Sequence, residues 1–136
     1  LQSSSAASDV YKRQVWETHK ILDENISINP TAVRVPVLVG HAESIYIETE
    51  KEIDIELAKK CLNEFAGISV IDDVKEVDFP TSFEHGHGTD DVYVGRIRKG
   101  LSKNNSLNLW VVADNVRKGA ALNSIQIAEN LVGSEM

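Results

Sequence analysis

A single cysteine, Cys61, stands in the 136 residues. One thiol cannot build a disulfide framework, and it excludes a cysteine-rich zinc site. Basic side chains are also scarce, with 14 Lys and Arg against 21 Asp and Glu and a net charge of -7. Nucleic-acid binders normally carry a basic face, so this balance argues against one. Nowhere does an apolar run approach the ~20 residues that a membrane-spanning helix needs. What is present is a chain of single-domain length, with 42% hydrophobic residues to bury a modest core.

The first fourteen residues, LQSSSAASDVYKRQ, begin with small polar residues and then change character abruptly. The opening seven show neither helical spacing nor alternation. A frayed terminus is one reading. The other comes from the run Ser4 to Gln14, which resembles the in-frame translation of a transposon-type sequencing adapter. On that reading residues 1–14 are a non-native tract to be set aside from functional reasoning. Native sequence then starts near Val15, inside a helix, and carries 20 acidic and 12 basic residues.

Val15 to Glu24 reads as the end of an amphipathic helix, with Trp16, Ile21 and Leu22 apolar. Thr31 to Val39 alternates valines with Arg34, Pro36 and Leu38 and reads as a strand. Pro36 cannot donate to a ladder, which makes it an edge or irregular strand. Gly40 and His41 read as a bend, and Ser44 to Glu50 as a second strand. Asp54 to Phe65 is the clearest helix, with Asp54 as N-cap, Ile55, Ala58, Leu62 and Phe65 on one face, and Gly67 as its stop. Ile68 to Ile71 reads as a short strand and Asp72 to Thr89 as loop. Asp91 to Lys99 alternates again, setting Val92, Val94 and Arg96 against Tyr93, Gly95 and Ile97. Ser106 to Ala113 is the most apolar strand, and Asp114 caps a final helix from Val116 to Val132. The expected architecture is α+β, a mixed and largely antiparallel sheet covered by helices.

Few residues stand out chemically. Arg34 in a valine-rich strand suits an anionic partner, because its planar fork matches a carboxylate. His41 follows Gly40, and an imidazole with an ordinary pKa of about 6.5 suits general acid–base work. The bland alternatives are an exposed arginine and a turn histidine. His85-Gly86-His87 lacks a further carboxylate or cysteine ligand nearby and is weak evidence for a metal. Cys61 reads as a half-buried structural thiol near the apolar face of its helix. Arg96 and Arg98 put basic groups along one strand, where solvated or interface positions suffice as an explanation. Asp114-Asn115, followed by Lys118-Gly119-Ala120-Ala121, ends a strand and opens a small-residue helix. Such an N-terminus suits a phosphate or cofactor, and equally a plain capped helix.

Read jointly, TAVRVPVLVGHAES, DVYVGRIRKG and LWVVADNVRKGAALNSIQIAENL strongly resemble the C-terminal part of aspartate-semialdehyde dehydrogenases, over essentially all of Val15 to Val132. The resemblance implies the fold of the C-terminal domain of glyceraldehyde-3-phosphate-dehydrogenase-like enzymes. It also implies a cytoplasmic oxidoreductase that reduces β-aspartyl phosphate with NADPH to aspartate-β-semialdehyde and releases phosphate. This step leads towards lysine, diaminopimelate, threonine and methionine. The route implied runs through a thioacyl enzyme on a cysteine, followed by hydride transfer. Arg34 takes the substrate carboxylate, His41 the general acid–base role, and Asn115 a contact to NADP. No metal is implied. Partners implied are a second copy, as homodimer or homotetramer through this domain, and the small-molecule substrate with phosphate, but neither nucleic acid nor membrane. The helix 116–132 is expected to dock on the NADP domain, and 133–136 form a tail.

The chain departs from the family's pattern in three ways. It has no glycine-rich nucleotide loop of a Rossmann domain. The family's nucleophilic cysteine and a substrate-orienting glutamine lie upstream, and Cys61 does not match the nucleophile's motif. An E-x-x-K motif would fall around Val10 to Arg13, inside the doubtful tract, so no role passes to Arg13. The expectation is a fragment inactive alone. Two rivals remain open: a stand-alone α+β dimerisation or binding module, and an N-acetyl-glutamyl-phosphate reductase, whose segments match less well.

Overall fold

The computed structural model of the chain describes residues 3–133; the end of the tail and the first two residues of the tract lie outside the described residues. Two compact units divide the chain, residues 1–36 and 37–136.

In the first unit a single helix, α1, runs Ser3–Ile21, so helical backbone is continuous across the Gln14–Val15 junction. Arg13 pairs with Glu17 one turn on, at 3.1 Å. Thr18 Oγ1 donates to Gln14 O at 2.7 Å, and the His19 ring Nε2 lies 2.7 Å from Ile26 O, tying the helix end to the chain that leaves it. Trp16, Ile21 and Leu22 are exposed. The strand expected at Thr31 to Val39 does not form; the segment belongs to no sheet. Its valine alternation lacked a partner, and Pro36 brings no N–H and restricts the residue before it. Val33 and Val35 are exposed.

The second unit is a four-stranded mixed sheet. Its strands are β1 (His41–Glu48), β2 (Ile68–Val70), β3 (Val92–Lys99) and β4 (Ser106–Ala113), in spatial order β1-β4-β3-β2. β4 pairs antiparallel with β1 and β3, while β2 pairs parallel with β3. The α+β, largely antiparallel expectation is met. The strand assigned to Ser44–Glu50 starts three residues earlier, so His41 opens a strand instead of sitting in a bend.

Helix α2 (Ile55–Glu64) begins at Asp54, whose carboxylate accepts from Leu57 N at 2.8 Å. Ile55 and Leu62 pack, with Ile53, against Val94, Ile97, Leu107 and Leu109 on one face of the sheet. Phe65, expected on that face, is exposed, and so is Cys61. The exposed thiol corrects the half-buried reading. The helix ends at Phe65, two residues short of the chain reversal at Gly67 (φ +83°).

The connection from β2 to β3 covers the other face. Pro80 is fully buried there, and Trp110 Nε1 donates to Pro80 O at 2.9 Å. Gly95 in β3 makes room for it: a Cβ there would lie 2.6 Å from Pro80 Cδ. The alternation expected for β3 fails beyond Gly95. A bulge lies between Gly95 and Arg98, with Arg96 at φ +55°, and it turns Ile97 back into the core with Val94. Asp72 secures the bulge by accepting from Ile97 N at 3.3 Å, while Lys59 of α2 sits 2.7 Å from its other oxygen. That contact raises the Lys59 pKa above its ordinary value.

The final helix forms in two pieces. Arg117–Ala121 is a wide turn, in which Gly119 N donates to Asp114 O and Ala121 N to Val116 O, five residues back. α3 (Leu122–Gly133) follows. Ala120, Ala121, Ser124 and Ala128 along these two pieces are exposed.

Leu109→Ala removes a core side chain and is expected to cost about 3 kcal/mol in urea unfolding. Leu101→Ala, at a fully exposed position, should stay within about 0.5 kcal/mol. Equal midpoints for the two variants would contradict this core.

Candidate functional site

The antiparallel register sets His41 opposite Ala113, so the first residue of β1 and the last of β4 share one end of the sheet. The next residues after Ala113 are Asp114 and Asn115. The chain thus brings His41 and Asn115 together from 74 positions apart in sequence. The imidazole of His41 is exposed, and by register it lies on the side of Ile45 and Leu109. Arg34 is exposed in the first unit, which ends at Pro36.

Three backbone segments converge behind His41. Gly40 is buried at φ +81°, and a Cβ on it would lie 2.6 Å from Gly86 O. Gly86 is equally confined, since its Cβ would meet Ser82 O at 2.7 Å and Gly40 Cα at 3.2 Å. Only glycine permits both the positive φ and this approach. Asn115 supplies the third contact, its Oδ1 accepting from Gly40 N at 3.2 Å.

Asp114 holds the same corner from below. It is buried, and Oδ2 accepts from Gly88 N at 2.8 Å. Oδ1 accepts from Val116 N at 2.8 Å and Arg117 N at 3.0 Å. So one carboxylate caps the final helix, as expected, and also fastens the 85–88 loop. The Gly88 amide foremost, then those of Arg117 and Val116, hold its pKa below the ordinary carboxylate value. Arg117 adds an exposed ion pair to Asp90.

The two histidines of His85-Gly86-His87 do different things. His85 Nδ1 accepts from Thr81 N at 3.2 Å, and its ring lies 5.0 Å from that of Tyr93. His87 is exposed, with Nδ1 4.0 Å from Asp114 Oδ2. Among the described residues no group of three or more His, Cys, Asp or Glu could hold a metal ion. Sequence reasoning treated Gly40 as a bend and gave Gly86 no role of its own. The sequence signal for either is slight, a glycine beside a histidine in a loop.

Residues 7–118 match the family of the semialdehyde dehydrogenase dimerisation domain. The chain belongs to that family. Aspartate-semialdehyde dehydrogenase of Shewanella violacea is 53% identical over 121 residues, 88% of this chain and 35% of that protein. The Legionella pneumophila protein of the same name is 48% identical over 120 residues, with the same coverages. The crystal structure of aspartate semialdehyde dehydrogenase II from Vibrio cholerae, complexed with ASA, superposes with a TM-score of 0.85 at 48% identity, over 92% of this chain and 37% of that one. The chain therefore spans about a third of the length of the curated relatives it matches. The family match begins inside the tract that resembles an adapter.

The lowered pKa of Asp114 fixes the direction of one pH effect. Its stabilising contribution is complete above the unfolded value of about 3.9 and disappears as pH falls through the lower folded value. Amide exchange at Gly88 should therefore accelerate, relative to the rest of the sheet, as pH drops below about 4. In Asp114→Ala Gly88 should be unprotected already at neutral pH, with no further acid step. Protected Gly88 in that variant would refute the assignment.

Proposed function

We propose that the chain is the C-terminal dimerisation and substrate-binding part of an NADP-dependent aspartate-semialdehyde dehydrogenase. The proposed reaction reduces β-aspartyl phosphate to aspartate-β-semialdehyde and releases phosphate, in cytoplasmic lysine, diaminopimelate, threonine and methionine biosynthesis. The observation that carries the reading is the His41–Asn115 corner, standing in a domain at about half identity to dehydrogenases of that name.

In this reading His41 is the general acid–base. It is exposed on a side chain whose backbone is rigidly held, so it can reach a substrate while its Cα stays fixed. The reaction needs a proton taken from a thiol and one exchanged with the tetrahedral oxygen, and an imidazole serves both. Arg34 pairs with the substrate carboxylate through its planar fork. NADPH supplies the hydride. Asn115 fits a single contact to the nicotinamide-bearing cofactor, since its Oδ1 is occupied by Gly40 and its NH2 remains to donate. The remaining cofactor contacts and the nucleophilic cysteine belong to sequence upstream of this chain. Cys61 does not replace that thiol; it is an exposed residue of α2.

The same reading makes residues 1–14 adapter-derived and residues 15–132 the enzyme's own. The helix 116–132 packs on the NADP domain, with Ile125, Ile127 and Val132 among the exposed apolar residues it would cover. Alone, the chain is inactive. As homodimer or homotetramer with the upstream part supplied, it forms the complete site.

Restoring the upstream sequence should give NADP- and phosphate-dependent oxidation of aspartate-β-semialdehyde. In that enzyme His41→Ala should lower kcat by at least about a hundredfold. Arg34→Ala should raise the KM for the semialdehyde while preserving the fold. Unchanged kinetics in both variants would remove these roles. An intact gene starting near Val15 would favour a stand-alone dimerisation module instead.

A further inference from the structure

The enzymatic reading uses Asn115 as a cofactor contact, but the carbonyl end of its amide is turned to protein. We infer that Asn115 is a positioning residue for His41, acting through Gly40, and that its NH2 is the group that meets a ligand, as a hydrogen-bond donor.

Gly40 is the residue on which the corner closes. Its N–H is donated to Asn115 Oδ1, and its Cα faces the backbone of Gly86. Its own carbonyl carbon begins the peptide that carries His41. A shift of Gly40 therefore moves the His41 Cα directly, across one peptide unit. Asp114 braces the arrangement independently, because it holds Gly88, two residues past Gly86, and the first amides of the final helix. Adjacent side chains thus fix the two segments that meet at Gly40: Asn115 fixes the start of β1, and Asp114 fixes the loop beneath it.

The direction of the amide follows from the donor. A backbone N–H can only donate, so the atom facing Gly40 is the amide oxygen, and the NH2 points to the other side. A ligand group recognised by the Asn115 NH2 must then be an acceptor, a carbonyl or an anionic oxygen. An aspartate at 115 would keep the acceptor for Gly40 and lose that donor, which separates the two roles within one residue.

The inference concerns the enzymatic site proposed above, but its test does not use that chemistry. Amide exchange and imidazole resonances are recorded by NMR on the 136-residue chain. In Asn115→Ala, Gly40 N–H should exchange about five- to tenfold faster, as expected for loss of one neutral hydrogen bond, and the His41 ring resonances should move. Asn115→Asp should restore both. Unchanged Gly40 and His41 signals in Asn115→Ala, or an aspartate that behaves like alanine, would overturn the inference. Should the alanine variant fail to fold, Gly40→Ala reads the same corner. Its methyl group must displace Gly86, so the His41 and Gly86 signals should move together, and independent behaviour would count against the coupling. No readout involves NADP or turnover, so failure of the enzymatic reading would leave these outcomes intact and appear only in the restored enzyme.

Discussion

The register between β1 and β4 is the constraint on which the site depends. Side chains alternate along a strand, so a slip of one residue would carry Ile45 and Ile47 off the core face and His41 with them. The register is held because Ile45 and Ile47 face Leu109 and Leu107 across the pair. Leu107 and Leu109 are both buried in the cluster with Val94 and Ile97. Burial of a few aliphatic side chains near the middle of the sheet thus decides where an imidazole stands at its end. This is how a hydrophobic pattern, which carries no chemistry, sets the position of the residue proposed as general acid–base.

The end of the sheet needs a second means of fixing, since strand ends fray and His41 is exposed. The contact of Gly40 with Gly86 supplies it at backbone level, closer than any side chain would allow. Such an approach leaves amide groups that must be paired. Asn115 accepts from one and Asp114 from another, together with two helix amides. The carboxylate is buried yet remains ionised because three N–H groups surround it, which is the condition for placing a charge there at low cost.

Much of this was legible in the sequence, and the failures have physical causes. Ser106–Ala113 was plain because a mostly apolar run reports burial on both faces, and Ile68–Val70 falls within the short strand expected at Ile68 to Ile71. α2 was plain from its cap and its spacing. Thr31–Val39 misled because alternation describes a side-chain pattern, whereas a strand requires a partner for its N–H groups, and Pro36 works against one. β3 misled at a single point: the bulge at Arg96 resets the alternation, and positive φ at an arginine leaves no trace in composition. The final helix was anticipated as one piece, but its first turn is wound wider. His41 and Asn115 stood out singly through their neighbours, and the family resemblance supplied their roles. Their proximity, and the part played by Gly86, arise from register and loop docking, which no local window contains.

The apolar surface left open on α1 and α3 bears on the enzymatic reading. Scattered exposed hydrophobics are ordinary in a folded domain. Here they are concentrated: α3 buries none of its residues, and Ile125, Ile127 and Val132 share its twelve positions. Trp16 and Ile21 do the same within α1. Two helices with this composition gain little by standing in water, since helical stability in proteins comes mainly from packing an apolar face. The sequence of α3 makes sense if it packs against something beyond the described sheet. The proposed upstream domain and second copy would supply the burial that α3 does not find on the described sheet, which carries α2 on one face and the Pro80 loop on the other.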